Sequence, residues 1–175
     1  TTGFQAYENL QKSKNDRYQY ILPYYNFNKI LDNTILNGTL VFSSKGDNHL
    51  NNTNQLKSRI INDLTYKSTD FISRLGFVND ADIHFKNLNS TGKNSEYKSS
   101  LQSEIVSIFS LNSSFPLVKI QDEYQSFLTP KASIRINPSD MKNYSTSNKT
   151  INVGNIFNIN RLGLSDTHEA GRSLT

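Results

Sequence analysis

The sequence predicts an all-β protein whose strands form an antiparallel meander. Apolar and polar residues alternate in one stretch after another, which is the pattern of strands with two unlike faces. The 9 Tyr and 10 Phe favour strands, whereas the 23 Asn suit turns and disfavour helix interiors. No stretch sustains the 3.6-residue period of an amphipathic helix.

The predicted strands follow one another along the chain. They cover residues 17–29, 35–44, 54–68, 71–85, 100–111 and 127–137, and a further strand starts at the C-terminal Ser-Leu-Thr. The segments between them are hydrophilic and rich in turn-forming residues. We therefore expect loops at 11–16, 44–54, 87–100 and 137–149.

Each predicted strand has an apolar and a polar face. One side of strand 100–111 carries Leu101, Ile105, Phe109 and Leu111. In strand 127–137, Ile134 and Ile136 share the apolar side, whereas Lys131 and Arg135 share the polar side. Asn62 is the polar exception on the apolar side of strand 54–68. Because no second apolar layer is available, we expect an open sheet of about nine strands with one bare apolar face.

The composition excludes several functional classes. Without Cys, the chain has neither disulfides nor Cys-based metal sites. The net charge of +4 comes from dispersed Lys and Arg, and no nucleic-acid-binding motif is present, so we expect no nucleic-acid partner. No apolar run reaches the ~20 residues of a membrane-spanning helix. No signal peptide is recognisable, so in an exported protein we expect it upstream of this sequence.

No catalytic, cofactor or metal site is predicted, and we do not expect an enzyme. His84 follows Asp80 and Asp82 on one strand face, and such a set could bind a metal, but a polar ladder on a sheet explains it as well. His168 lies close to Glu169, yet no nucleophile is placed beside this pair.

Two architectures fit this string of strands. A β-sandwich buries one face of each strand and wets the other. A transmembrane β-barrel turns one face to lipid and the other to a wet lumen, with strands of ~9–11 residues. The long strands, the mixture of short and long loops and the aromatic residues of 17–29 favour a transmembrane β-barrel over a sandwich.

Charged residues on the polar face are the candidate site. They are Arg59, Arg74, Lys131, Arg135, Arg161, Asp166, Glu169 and Arg172. The last four form a cluster that we expect at a barrel rim or on the lumen side, because a lipid-facing Arg near the midplane costs ~2–4 kcal/mol. A charge-balanced, solvated sheet face explains the same residues without a functional role.

Five segments carry a family resemblance, in matching order and spacing. They are RYQYILPYYNFNK (17–29), NGTLVFSS (37–44), SFPLVK (114–119), FLTPKASIRINP (127–138) and NVGNIFNINRLGLSDTHEAGRSLT (152–175). Together they resemble segments of the lipopolysaccharide-assembly outer-membrane protein family, LptD, also called organic solvent tolerance proteins. The Glu of the family's LEP motif is Thr129 here, so a role of that carboxylate is absent or moved.

The resemblance implies a function and a set of partners. Residues 1–175 would be a segment of a large transmembrane β-barrel, a partial barrel domain of about the middle third of the barrel, without the jellyroll or the closing strands. The parent would assemble lipopolysaccharide into the outer leaflet of the bacterial outer membrane. Its partners would be lipopolysaccharide, outer-membrane lipid, a lipoprotein plug in the lumen and periplasmic bridge proteins. The alternative is an exported β-sandwich adhesin or carbohydrate-binding module.

Overall fold

The computed structural model describes residues 1–8, 18–33, 37–51, 54–140, 149–164 and 168–175. Strands hold 67% of these residues, and none of them lies in a helix, which confirms the all-β fold class. Among the described residues no helix is long and apolar enough to cross a membrane. The loop expected at 11–16 and most of the loop expected at 137–149 fall outside the described residues.

The structure contains eleven strands in its described part. They are β1 (Thr2–Glu8), β2 (Tyr18–Asn33), β3 (Gly38–Asn51), β4 (Gln55–Ser68), β5 (Phe71–Ile72), β6 (Val78–Lys93), β7 (Gln102–Ser114), β8 (Leu117–Ile120), β9 (Gln125–Leu128), β10 (Lys131–Asn137) and β11 (Gly171–Leu174). Five of them, β2, β3, β4, β6 and β7, have 13 to 16 residues, well above the usual length of about 5–6.

The strands pair mainly with their neighbours in the chain. Within the described residues the main sheet has nine strands in the order β1–β2–β3–β4–β6–β7–β10–β11, with the short β5 on β6. β8 and β9 form a separate two-stranded hairpin between β7 and β10. The sheet is an antiparallel meander, as predicted. Its order ends at β1 and β11, and no closed barrel is seen among the described strands.

The loop predictions for 44–54 and 87–100 are wrong in large part, because strands extend into both segments. β3 continues to Asn51 and β6 continues to Lys93, although both stretches are hydrophilic. Their polar side chains are bonded across strands: Asp47 of β3 pairs with Arg59 of β4 at 2.8 Å. Polar cross-strand pairs stabilise a sheet, so hydrophilic composition alone is a poor guide to a loop.

Two other segments were wrongly predicted as single strands. Residues 71–85 form the short β5, a turn and then β6. The turn contains Gly76 with a φ of 88°, a left-handed conformation that glycine adopts without a steric penalty. In residues 127–137 the ladder breaks at Pro130, which has no N–H to donate.

The apolar face of the sheet is bare, as expected, and the polar face is the more buried one. On β7, Ile105 is 71% exposed whereas Ile108 is fully buried at 0%. On β10, Ile134 and Ile136 are exposed whereas Arg135 between them is buried. An antiparallel sheet in water normally covers its apolar face and wets its polar face, so this distribution is inverted.

The chain divides into two compact units. The first comprises Thr1–Ile30, Val41–Leu64 and Lys86–Ile105, and the second comprises Leu31–Leu40, Thr65–Phe85 and Val106–Thr175. Strands β2, β3, β4, β6 and β7 contribute residues to both units. Of the seven candidate residues that the structure describes, Arg59 belongs to the first unit and the others belong to the second.

A row of polar side chains crosses the apolar side of the sheet in the first unit. The hydroxyls of Tyr25 and Ser44 are 3.1 Å apart, and Ser44 donates to Asn62 at 2.7 Å. Asn62 donates to Asn87 at 3.4 Å, and Asn87 donates to Ser103 at 3.2 Å. These bonds explain the polar exception at Asn62: it belongs to a hydrogen-bonded row that borders the apolar surface.

Two isoleucines on opposite faces of β7 test which face of the sheet is exposed and which is buried. Ile108→Ala should lower the free energy of unfolding by about 2–5 kcal/mol, because it leaves a cavity among buried side chains. Ile105→Ala should cost roughly 1 kcal/mol or less under the same conditions, because its side chain is 71% exposed. Denaturant unfolding of both variants measures the difference. Equal losses at the two positions would contradict the assignment of the faces.

Candidate functional site on the polar face

The polar face of β10 is covered by a later part of the chain. Residues 149–164 and 168–170, which we name the cap segment, bond to this face through backbone oxygens. Arg135 donates from Nε to the Ile159 carbonyl at 3.1 Å and from Nη2 to the Glu169 carbonyl at 3.0 Å. Asn137 donates to the same Glu169 carbonyl at 2.8 Å. The apolar residues of 155–164, although strand-like in sequence, therefore belong to turns of the cap segment and not to a strand.

The cap segment leads directly into the last strand of the sheet. β11 pairs with β10 in antiparallel register, and Ile134 lies opposite Leu174. The ladder extends beyond β11, because Ser133 and Thr175 exchange two backbone hydrogen bonds of 3.0 and 2.9 Å. The strand expected at the C-terminal Ser-Leu-Thr is therefore present, and it anchors the end of the cap segment.

One buried carboxylate lies between two arginines. Glu169 Oε1 is 3.5 Å from Arg135 Nη1, and the same oxygen is bonded to Arg161 Nη2. The side chains of the three residues are only 4 to 11% exposed. Burying charges costs free energy unless they are paired, so this cluster supports the cap segment only while all three members are present.

The other members of the predicted 161–172 cluster do not join this group. Asp166 lies outside the described residues. Arg172 lies opposite Ile136 in the β10–β11 register and is exposed. It therefore shares the apolar side with Ile136, which corrects the expectation that Arg172 stays off that side. It is the second residue of β11, at the end of the sheet, where a long Arg side chain can extend its charged group to water.

The remaining candidates are scattered. Arg74 is exposed in the turn between β5 and β6, so its predicted position on the polar face of a continuous strand is wrong. Lys131 begins β10 opposite Ser114 and is exposed. Arg59 is ion-paired with Asp47 in the first unit. These residues do not converge on one reacting centre with Arg135 and Glu169.

Sequence reasoning missed a polar group that the second unit assembles on the same face. Asn112 of β7 donates to Asp80 at 2.7 Å and to Asp82 at 3.0 Å, both on β6. Ser133 Oγ of β10 donates to the side-chain amide oxygen Oδ1 of Asn112 at 2.7 Å. The alternation of Asp80 and Asp82 was visible in the sequence, but their partner depends on the register of β6 and β7, which the sequence does not specify.

Two histidines also meet on this face. The rings of His84, on β6, and His168, in the cap segment, are 4.6 Å apart between centroids, and both residues are buried. In the described part of the chain, no three His, Asp or Glu side chains are grouped so that they could hold a metal ion.

Comparisons with family models, curated proteins and solved structures find no match to this chain.

The buried cluster predicts a large penalty for removing its carboxylate. Glu169→Gln removes the buried carboxylate that Arg135 and Arg161 share, and should lower the free energy of unfolding by about 3–5 kcal/mol. The matched control is Glu123→Gln, which makes the same chemical change at an exposed residue between β8 and β9 and should cost about 0–1 kcal/mol. Denaturant unfolding compares the two. A Glu169→Gln variant as stable as the control would show that the cluster does not hold the cap segment.

Proposed function

We propose that this chain is part of a transmembrane β-barrel of the bacterial outer membrane that takes part in the assembly of lipopolysaccharide. The observation that carries the membrane part is the bare apolar face opposite a charged, partly buried face. A lipid-embedded barrel requires this distribution, since its outer face is apolar and its interior is polar.

The length of the apolar band on β7 supports the same assignment. On the apolar side of this stretch Leu101, just before β7, and Ile105, Phe109 and Leu111 are exposed, and Ser103 and Ser107 lie between them. Ten residues separate Leu101 from Leu111, which at ~3.3 Å per residue is about 33 Å along the strand. With the ~40° tilt of barrel strands this gives a band about 25 Å tall, the height of the apolar belt of outer-membrane barrels.

The lipopolysaccharide part rests on the resemblance of five segments to the LptD family. The charged side chains of the polar face are consistent with it, because a lumen that passes a phosphorylated, sugar-bearing amphiphile needs polar groups of both signs. Under this proposal the lipoprotein plug and the periplasmic bridge proteins of that family are the expected partners.

Single cysteines test the membrane assignment cleanly, because the chain has no Cys of its own. In lipid vesicles, a fluorophore on Phe109→Cys should be quenched by a quencher attached to acyl chains. A fluorophore on Lys131→Cys, on the opposite face, should be quenched by iodide from the water phase. Phe109→Cys protected from both quenchers would indicate a β-sandwich with a covered apolar face, and would contradict the membrane proposal.

A photocrosslinking side chain tests the lipopolysaccharide assignment separately. Placed at Lys131 in growing Gram-negative cells, it should form adducts with lipopolysaccharide, because Lys131 lies on the proposed lumen side. The matched control is Lys119, an exposed lysine of the β8–β9 hairpin. Equal adducts at both lysines, or none at Lys131, would contradict passage of lipopolysaccharide along this face.

A further inference from the structure

A cavity of about 590 Å³ opens on the polar face of the second unit. Its size is within the range of about 300–1,000 Å³ that is typical of small-molecule sites. Side chains from β4, β6, β7, β10 and the cap segment line it, among them Lys67, Asp80, Asp82, Asn112, Lys131 and Phe157. Groups from five separate elements thus converge on one space.

The carboxylates of this cavity are held in fixed positions by neutral donors. Asn112 bonds to one oxygen of Asp80 and one of Asp82, and Ser110 donates to Asp82 at 3.3 Å. Ser133 in turn fixes the Asn112 amide. An ionised carboxylate has about four acceptor positions, whereas these bonds use one on Asp80 and two on Asp82. Both carboxylates therefore keep acceptor capacity for hydroxyl groups of a ligand.

The remaining lining supplies an apolar surface and balances the charge. Phe157 of the cap segment is 40% exposed and lines the cavity, so its ring is available for stacking. Lys67 and Lys131 are exposed and line the same space, which brings two ammonium groups to two carboxylates. A balanced site of this kind has no net charge to attract an ion, and it offers acceptors, donors and one aromatic ring.

From this chemistry we propose that the cavity is a binding site for a neutral saccharide unit. Adjacent hydroxyls of a sugar ring would donate to Asp80 and Asp82, and the Lys131 ammonium would donate to a ring or hydroxyl oxygen. The apolar C–H face of the sugar would stack on Phe157. This site goes beyond the proposed membrane function and does not depend on it, because all its groups lie on the polar face of the second unit.

Titration with a simple sugar tests the proposal. The protein, in a detergent without a sugar headgroup, is titrated with methyl α-glucoside while the Asn112 side-chain amide and the Phe157 ring are followed by NMR. Both signals should shift and saturate. Asp80→Asn and Phe157→Leu should each weaken binding about tenfold or more, because they remove a charge-assisted hydrogen bond or the stacking ring. Phe157→Leu alters an exposed side chain, so it keeps the test decisive if Asp80→Asn does not fold.

The control variant is Asp122→Asn, which changes an exposed carboxylate between β8 and β9 and should bind the glucoside like the unaltered protein. Inorganic phosphate and methylamine, titrated alone, should leave the two signals in place.

The proposal is overturned if the glucoside causes no saturable shift, or if the shift is unchanged in Phe157→Leu. It is also overturned if phosphate or methylamine reproduces the shift, since the cavity would then be an ion site. None of these results depends on lipid contact at Phe109. The saccharide proposal can therefore be overturned without affecting the membrane proposal, and the reverse is also true.

Discussion

The burial of Arg135 is the constraint on which the second unit depends. At 4% exposure its guanidinium has lost most contact with water, and an unpaired buried charge of this kind is incompatible with a stable fold. Two carbonyl oxygens and the Glu169 carboxylate replace the lost water. These three partners belong to the cap segment, so the placement of that segment beside β10 satisfies the polar groups of one buried strand residue.

The inverted distribution of polarity follows from the same alternation that defines the strands. Successive side chains of a strand point to opposite faces of the sheet. Because Ile134 and Ile136 lie on the exposed apolar face, Arg135 between them must lie on the polar face, toward the cap segment. The polar face is therefore crowded with groups that must be hydrogen-bonded, and among its described residues few buried side chains are apolar, such as Ile108. Its order derives from a network of directional bonds more than from close packing of a large apolar core.

The sequence predicted the strands and their faces better than it predicted their ends and partners. The alternation of apolar and polar residues around Ile105 and Ile134 was enough to predict which residues lie on the exposed apolar face of β7 and β10. Strand ends were misjudged where polar residues such as Asp47 continue a ladder, because hydrophilic side chains suit a loop and a bonded strand equally. The link between Arg161 and Glu169 was accessible because the two lie within one short segment. The links from Arg135 to Glu169 and from Asp80 to Asn112 depend on register and on chain reversal, which local patterns do not encode.

The long separation between Arg135 and Glu169 has a consequence for the order in which the molecule assembles. Pairs of strands that are adjacent in the chain close short loops and can form early, whereas these two residues are 34 positions apart. We therefore expect the cap segment to dock after the neighbouring strands of the sheet have paired. Contacts that form after the rate-limiting step act mainly on the rate of unfolding. Loss of the Glu169 contacts would therefore raise the rate of unfolding more than it lowers the rate of folding, so Glu169 would mainly set the lifetime of the folded protein.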